Sequence, residues 1–362
     1  MITKMHIKNI HAIKESTINF EKSRYHYLCE NIYNEKLVNP IAFYGTNGSG
    51  KTSFIATISQ LSQILWKEPG NYTVFIPNLF DEKNKNSELK IWFELESVEY
   101  VYEIITNLHD GILQEKLVIK EEVIFYKKDN LNYYYNNKEH QLNSPIFSVL
   151  RRIASDLVDD RVVKAYNYLS NISYVDASKQ QFLCKKIEQK TIQDVMVEQS
   201  NEVKKILSDY KCFPTYDFKK VILQTGGKEY YISMNIKGKD KLLHNSFMST
   251  GMYNQSVMLS ILTALPENSV LVIDEIEDAL HPITIMDFIH AVQKRGIQLI
   301  FTSHNTYILQ KLRPDQIFFA NWNNGFSNYR KLSDIYPNIR EINNIEKMYL
   351  SHMFDDDITK DE

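Results

Sequence analysis

The stretch that decides the fold is IAFYGTNGSGKT, residues 41–52. It starts with a short apolar run bounded by turn formers, which predicts a buried strand of a parallel sheet. The rest fits G-x-x-x-x-G-K-[ST] at every fixed position. Glycines let successive amide hydrogens point at phosphate oxygens, and the amino end of a helix adds positive potential. An apolar-faced helix is predicted to follow, so the pattern indicates a nucleotide phosphate site.

Each residue of this loop has an expected part in binding ATP. Lys51 is expected to reach the β- and γ-phosphates, and the Thr52 hydroxyl to bind Mg²⁺. The other predicted contacts to the nucleotide come from the loop and the first helical turn: Gly45, Asn47, Gly48, Ser49, Gly50 and Ser53.

Two later apolar strands end in polar residues that we expect at the same sheet edge. VLVIDE, residues 270–275, ends in Asp274, predicted to order Mg²⁺, and in Glu275, predicted to polarise the attacking water as a general base. QLIFTSH, residues 298–304, ends in His304, for which we predict a contact to the γ-phosphate. Catalysis is therefore assigned to Glu275, His304 and Lys51.

A further motif, FMSTGM at residues 247–252, precedes another apolar-faced helix. A Ser hydroxyl and a Gly amide at a helix amino end form a second anion site. The motif resembles the ABC signature sequence, whose commoner form begins Leu-Ser-Gly-Gly, with Thr250 in place of a glycine. The Ser-Thr-Gly version resembles the branch that contains RecF, the structural-maintenance (SMC) ATPases and the OLD family. EDALHP, residues 277–282, is similar to the Leu-His-Pro turn of that branch.

The resemblance implies an activity and an assembly. In ABC ATPases the signature touches the γ-phosphate held by the opposite subunit, so it implies a head-to-tail homodimer, or a higher oligomer, in which Ser249 and Gly251 contact the partner's ATP. It implies ATP and Mg²⁺ as ligands and hydrolysis to ADP and phosphate. The implied fold is α/β: an ABC ATPase head with a mixed parallel core sheet, an antiparallel β subdomain and a helical insertion.

The chain divides into four predicted segments. Residues 1–144 are expected to form the N-terminal ABC ATPase lobe, with the P-loop and a strand-rich antiparallel subdomain. Residues 145–216 are expected to be the helical insertion. Residues 217–350 are expected to form the C-terminal lobe, with the signature, the Asp-Glu strand and His304. Residues 351–362 are expected to be an acidic tail.

Two possible metal sites lack a complete set of ligands in the sequence. ABC ATPases usually carry a Mg²⁺-ligating Gln after the first helix, but Gln60 and Gln63 lie within that helix and the loop at 75–80 has none. We therefore assign no residue to that role. Glu277 and His281 have a spacing that suits a metal, but no further ligands accompany them.

The composition indicates which cellular location and which partners to expect. No apolar run is long enough to cross a bilayer, and the three cysteines have no disulfide or zinc spacing, so we expect a cytoplasmic protein without a membrane partner. The net charge of -3 does not indicate nucleic-acid binding, although DNA stays open as a partner. The candidate basic contacts are Arg151, Arg152, Lys185, Lys186, Lys219 and Lys220.

The motifs together resemble most the small ATPases of prokaryotic anti-phage and abortive-infection systems. The long gap between P-loop and signature argues against a transporter subunit, and the insertion is too short for coiled-coil arms. The resemblance implies a nucleotide-gated switch or sensor in anti-phage defence that controls a separately encoded effector, since no nuclease domain is evident. The alternatives are a RecF- or SMC-like ATPase of DNA repair or chromosome maintenance, and a scaffold that binds ATP without turnover.

Overall fold

The computed structural model describes the chain apart from residues 82–83, 180, 210–215, 223–226, 237–238, 352 and 355–362. The strands, in chain order, are β1 (Ile2–Ile10), β2 (Ile13–Asn19), β3 (Ile32–Tyr33), β4 (Leu37–Val38), β5 (Ile41–Tyr44), β6 (Asn86–Leu95), β7 (Val98–Asn107), β8 (Gly111–Ile119), β9 (Glu122–Lys127), β10 (Asn132–Tyr135), β11 (Lys138–Gln141), β12 (Ser173–Asp176), β13 (Gln181–Leu183), β14 (Tyr216–Ile222), β15 (Lys228–Ile236), β16 (Lys239–His244), β17 (Val270–Asp274), β18 (Gln298–Thr302), β19 (Ile317–Asn323) and β20 (Phe326–Lys331).

The helices, again in chain order, are α1 (Lys51–Trp66), α2 (Val149–Ser155), α3 (Asp160–Ser170), α4 (Ile192–Glu198), α5 (Ser200–Asp209), α6 (Thr250–Ala264), α7 (Ile276–Ala279), α8 (Pro282–Lys294), α9 (Thr306–Leu309), α10 (Leu332–Ile335) and α11 (Ile345–Leu350).

Short parallel strands form the centre of the fold, in the order β12-β17-β18-β5-β19. β5, β17 and β18 are buried along their whole length. A strand covered on both faces needs apolar residues throughout, which is why these three could be predicted from short apolar runs. Their carboxyl ends meet at one edge of the sheet, where Tyr44, Asp274 and Thr302 end the three strands.

Alternate residues of the core strands face opposite sides of the sheet. In β5, Ile41 and Phe43 belong to one hydrophobic cluster together with the apolar face of α1. Ala42 and Tyr44 belong to a second cluster, together with α6 and α8. β17 and β18 divide in the same way. Because strand residues alternate between faces, α1 and α6 cover opposite faces of the core sheet.

The core sheet continues beyond β19 as an antiparallel wing. The order there is β20, β2, β1, β6, β7, β8, β9, β10 and β11. With β13, which lies beside β12 at the other end, 15 strands make one sheet. Ile13 in β2 pairs with Ser327 in β20, which joins the wing to the core. The mixed parallel core and the antiparallel part predicted from the sequence are both present, and they form one continuous sheet.

The segment 145–216, predicted as a helical insertion, contains strands as well as helices. Besides α2, α3, α4 and α5 it includes β12 (Ser173–Asp176) and β13 (Gln181–Leu183). β12 pairs in parallel with β17 of the core sheet and antiparallel with β13. β12 was not predicted, because four residues show no period of their own and the strand is defined by its distant partner.

The segment 217–350 begins with a separate antiparallel sheet of β14, β15 and β16 and continues through the core strands to α11. The acidic tail predicted at 351–362 lies almost wholly outside the described residues. No helix in the described ranges has both the length and the apolar character that a membrane crossing requires.

Candidate nucleotide-binding site

The P-loop lies between the end of β5 and the start of α1, as predicted. Gly45 and Gly50 both have positive φ, 149° and 97°. A side chain at Gly45 would collide with the Ala320 carbonyl, and one at Gly50 with the Ser327 side chain. The loop therefore lies tightly against the β19–β20 hairpin, and only glycine allows both this approach and this backbone.

Lys51 points into the curl of its own loop. Its Nζ donates hydrogen bonds to the carbonyl oxygens of Gly45 (2.9 Å) and Thr46 (3.1 Å), and the residue is only 6% exposed. Burial lowers the pKa of Lys51 below its ordinary value, against the pull of three carboxylates. Those carboxylates belong to Asp274, Glu275 and Glu277. The structure thus brings the P-loop cation and the acids at and just after the end of β17 into one electrostatic cluster.

The other loop residues line an open surface. Asn47, Gly48 and Thr52 are exposed, whereas Ser49 is buried. The Ser49 hydroxyl has no hydrogen-bond partner in the described part of the chain, although a buried polar atom normally has one. Such an orphaned donor inside a glycine-curled loop fits the oxygen of a phosphate.

Asp274 and Glu275 are held by one hydroxyl of the neighbouring strand. The Thr302 Oγ1 donates to Asp274 Oδ1 at 2.5 Å and accepts from the Glu275 amide at 2.8 Å. Asp274 is 4% exposed, at the end of β17. No role was predicted for Thr302; the available signal was its position at the end of an apolar strand, two residues before His304.

Glu275 turns out of the strand in a left-handed conformation, with φ 55°. This conformation is uncommon for a residue with a side chain and is typical of functional sites. Burial raises the pKa of Glu275 above its ordinary value, and like charges on Asp274 and Asp278 add to the shift. A carboxylate with a raised pKa is a stronger base, which suits the predicted role.

His304 follows β18 at the same edge and is exposed. Its backbone N–H donates to Glu277 Oε1. The pKa of the imidazole is lowered first by burial and then by the Lys51 ammonium, so the ring is neutral near pH 7. The other oxygen of Glu277, Oε2, is buried without a partner among the described residues.

The signature residues lie on the other side of the sheet. Ser249 caps α6, its hydroxyl accepting from the Met252 amide at 3.3 Å, and it is exposed. Added to Gly251, a side-chain carbon would meet nothing within 4 Å. The Asn254 side chain donates to the Asp278 carbonyl at 3.2 Å, which ties the first turns of α6 to the segment after Glu275. The signature therefore lies toward the same edge as the P-loop but on the opposite face.

Residues 41–310 match the family model described as "AAA domain, putative AbiEii toxin, Type IV TA system". The chain belongs to this AbiEii-type AAA-domain family. No curated protein sequence matches the chain. The AAA domain of this family and an SMC-head-like fold confirm the resemblance stated from the motifs.

Solved structures with a similar fold include an SMC head. A crystal structure of the SmcHead bound to the C-winged helix domain of ScpA aligns with TM-score 0.51 and 14% identity, over 92% of this chain and 99% of that one. The SMC head domain from Thermotoga maritima gives 0.46 and 15%, over 91% and 98%. The Smc head with an extended coiled coil bound to the C-terminal domain of ScpA, from Pyrococcus furiosus, gives 0.43 and 13%, over 99% of both chains. The SmcHead structure, with a TM-score of 0.51, supports the ABC ATPase head fold.

The chain also brings a further carboxylate, that of Asp176, to the edge. Asp176 ends β12 in register with Asp274 and is 2% exposed. It accepts bonds from the Ser178 hydroxyl (2.8 Å) and from Lys179 Nζ (2.8 Å). Burial alone would raise the pKa of Asp176, but the bonds from Lys179 outweigh burial and the pKa lies below its ordinary value. The position of Asp176 at this edge could not be predicted from the sequence, since the pairing of β12 is nonlocal.

Gln60 does not take the position of the usual Mg²⁺-ligating glutamine. The Gln60 side chain donates to the Val74 carbonyl at 2.8 Å, so it holds the loop after α1 and lies away from the acids. Among the described residues no group of three or more His, Cys, Asp or Glu side chains has metal-binding geometry. Glu277 and His281 therefore do not form a separate metal centre with a third such ligand in that part of the chain.

Proposed function

We propose that the chain hydrolyses ATP as a head-to-tail homodimer, with the P-loop of one copy completed by the signature of the other. The observation that supports this is the position of the two half-sites. Ser249 and Gly251 are exposed at the edge where Lys51, Asp274 and Glu275 lie, but the core sheet separates α6 from α1 within one copy. A second copy in the reverse orientation supplies the missing half twice, as a two-fold interface does.

The residues of one half-site have complementary tasks. Lys51 and the loop amides bind the β- and γ-phosphates, and Thr52 and Asp274 are the groups that would hold Mg²⁺. Bound there, Mg²⁺ neutralises the charge that develops on the phosphate oxygens. The Thr302 hydroxyl fixes the orientation of Asp274 for this purpose.

Glu275 is the proposed base. It takes a proton from a water molecule whose oxygen attacks the γ-phosphorus, and the bond to the bridging oxygen breaks to give ADP and phosphate. The neutral His304 ring donates an N–H to the γ-phosphate. We assign Asp176 to the position that the usual Gln fills, because it is the group that β12 places beside Asp274. Lys179 keeps that carboxylate ionised.

The central test compares two substitutions. Lys51→Ala should abolish nucleotide binding, whereas Glu275→Gln should bind ATP and lose hydrolysis by about 10²- to 10⁴-fold, the usual contribution of a general base. Equilibrium binding of a fluorescent ATP analogue and single-turnover hydrolysis measure the two effects separately. Undiminished hydrolysis by Glu275→Gln would remove Glu275 from the mechanism.

We further propose that this ATPase is a cytoplasmic switch in anti-phage defence that controls a separately encoded effector. The matched family is described by an AbiEii toxin of a type IV toxin–antitoxin system, which supports a defence role. The alternative is a RecF- or SMC-like ATPase that acts on DNA. Growth after phage infection should depend on the product of the adjacent reading frame and on Lys51; ATP-dependent binding to DNA ends, with no such dependence, would favour the alternative.

A further inference from the structure

Exposed apolar side chains lie in the segment after α1 and on the β19–β20 hairpin, against which the P-loop packs. Leu79 is 83% exposed, Phe80 65% and Trp322 41%, and we call these three residues the P-loop rim. The rings of Phe80 and Trp322 meet edge to face with centroids 5.8 Å apart. The Asn78 side chain donates to the Gly325 carbonyl at 3.5 Å, which attaches this segment to the tip of the β19–β20 hairpin. Two chain segments that contact each other therefore form the rim.

The hairpin fixes the rim at the ATP edge. β19 runs parallel to β5, with Phe319 paired to Tyr44, the last residue before the P-loop. The next residue of β19, Ala320, has its carbonyl against Gly45. Trp322 lies further along the same strand, so the rim extends past the carboxyl edge of the parallel strands, on the side where nucleotide phosphates bind.

A single exposed aromatic residue accompanies the signature. Phe247 is 77% exposed and ends a 3-10 turn that begins at Asn245. Only Met248, which packs partly into the second hydrophobic cluster, separates it from Ser249. Two residues of extended chain span at most about 7 Å, so Phe247 must stay beside the signature.

We propose that in the ATP-bound dimer Phe247 of each copy packs onto the P-loop rim of the other copy. The proposal rests on the head-to-tail dimer and names the contact that holds it together. Phe247 and the rim lie at the same edge, beside half-sites that the core sheet keeps apart within one copy. A two-fold arrangement that brings Ser249 to the partner's P-loop also brings Phe247 to the partner's rim. Both apolar surfaces are then covered by a second copy of this chain, in two symmetric contacts.

The chemistry of the contact suits an interface that forms only with nucleotide. Large aromatic side chains that enter an apolar surface contribute most of the affinity in many interfaces. The rim and Phe247 are apolar and uncharged, so they add attraction without selecting a direction. ATP bound between the P-loop and the signature sets the relative orientation of the two copies, and its hydrolysis allows them to separate.

Cross-linking tests the contact directly. In a Glu275→Gln background with Cys29→Ser and Cys212→Ser, one preparation carries Phe247→Cys and a second carries Leu79→Cys. The two are mixed with ATP and a short bismaleimide, and we expect a cross-linked dimer that forms with ATP and not with ADP. Phe247→Cys mixed with Leu157→Cys is the matched control, because Leu157 is also apolar and 75% exposed but is not part of the rim, and it should not cross-link.

The mass measured in solution distinguishes a failure of the rim contact from a failure of the head-to-tail dimer. Light scattering on the same Glu275→Gln samples should show an ATP-dependent dimer. A dimer that forms with no Phe247–Leu79 cross-link, or with equal cross-linking to Leu157, overturns the rim contact and leaves the proposed function standing. Absence of any ATP-dependent dimer overturns both.

A second measurement uses affinity in place of proximity. Phe247→Ala should weaken the ATP-dependent dimer of Glu275→Gln by at least about tenfold, the usual loss for an aromatic anchor. ATP binding to the monomer should not change, which separates this effect from misfolding. Leu157→Ala should leave dimer affinity unchanged. An unchanged dissociation constant for Phe247→Ala would contradict the proposal.

Discussion

At the scale of single residues, Thr302 sets the arrangement of the acids. One hydroxyl serves both as donor to Asp274 and as acceptor from the Glu275 amide. Glu275 is in a left-handed conformation, and the hydrogen bond from its backbone N–H to the Thr302 hydroxyl helps to keep it there. Loss of the hydroxyl would leave two buried polar groups without partners, at about 1–3 kcal/mol each.

The first prediction concerns this hydroxyl. Thr302→Val keeps the shape of the side chain, and we expect kcat for ATP hydrolysis to fall about tenfold or more, because about 1.4 kcal/mol of lost alignment corresponds to tenfold in rate. Thr302→Ser retains the hydroxyl and should stay close to the wild type. Steady-state hydrolysis measured beside circular dichroism distinguishes this from unfolding. Equal rates for the Val and Ser variants would show that the hydroxyl has no part in catalysis.

The second prediction is a pH dependence. Since the pKa of Glu275 is raised, the base form is lost earlier on acidification, and kcat should decline at a pH above the ordinary glutamate range. Asp278→Asn removes a nearby negative charge, which lowers the pKa of Glu275 and also that of His304. The acid limb of the kcat profile should therefore move to lower pH.

Glu267→Gln is the control for this profile, since Glu267 is exposed in the loop before β17. Glu267→Gln should leave the acid limb of the kcat profile at the pH found for the wild type. A limb that moves to higher pH in Asp278→Asn, or stays where it is, would contradict the electrostatic account of the cluster.

At the scale of elements, one buried ion pair connects the N-terminal segment to β19. Arg313 and Asp315 are both fully buried and bond to each other at 2.9 Å. Arg313 also donates to the carbonyls of Tyr25 and Tyr27, while Asp315 accepts from the Ser23 amide. This network holds residues 23–27 against the turn that begins β19, the strand on which the P-loop rests.

The third prediction tests the network. Asp315→Ala leaves a buried guanidinium without its counter-ion, and we expect the free energy of unfolding to fall by about 3–5 kcal/mol. Lys205→Ala breaks an exposed pair with Glu202 and should cost no more than about 1 kcal/mol. Denaturant titration measures both. A loss for Asp315→Ala as small as that for Lys205→Ala would show that the segment is held by other contacts.

Elements differ in how far the sequence determines them. The β5 and β17 strands could be predicted because each is a short apolar run followed directly by its motif. β12 could not, because Ser173–Asp176 becomes a strand only through parallel pairing with residues 271–274. Asp176 was missed for the same reason. The motif residues of the P-loop, β17 and β18 were predicted at the edge where the structure places them, since the carboxyl ends of parallel strands share one edge.

At the scale of the whole molecule, the core sheet separates the two half-sites within one copy. It keeps α1 and the P-loop on one face and α6 and the signature on the other. In the proposed mechanism, a single copy binds nucleotide through Lys51 and depends on its partner's Ser249 to cap it. ATP-dependent pairing is therefore the proposed signal that an effector detects, and hydrolysis ends it.

Mixing two inactive variants tests this claim most directly. Glu275→Gln lacks the base but has an intact signature, and Ser249→Arg has an intact base but a blocked signature. Each should be inactive alone. In a mixed dimer, the site with the P-loop of the Ser249→Arg copy and the signature of the Glu275→Gln copy is complete. If both variants pair freely, half the dimers are mixed and one of two sites works, so we predict recovery to about a quarter of wild-type hydrolysis.

The outcome is decided by ATP hydrolysis measured before and after mixing, with light scattering to confirm that mixed dimers form. Recovery well above the sum of the separate variants is the result that trans completion predicts. Mixed dimers with no recovered hydrolysis, or a Ser249→Arg variant that hydrolyses ATP normally alone, would show that each copy works with its own residues only.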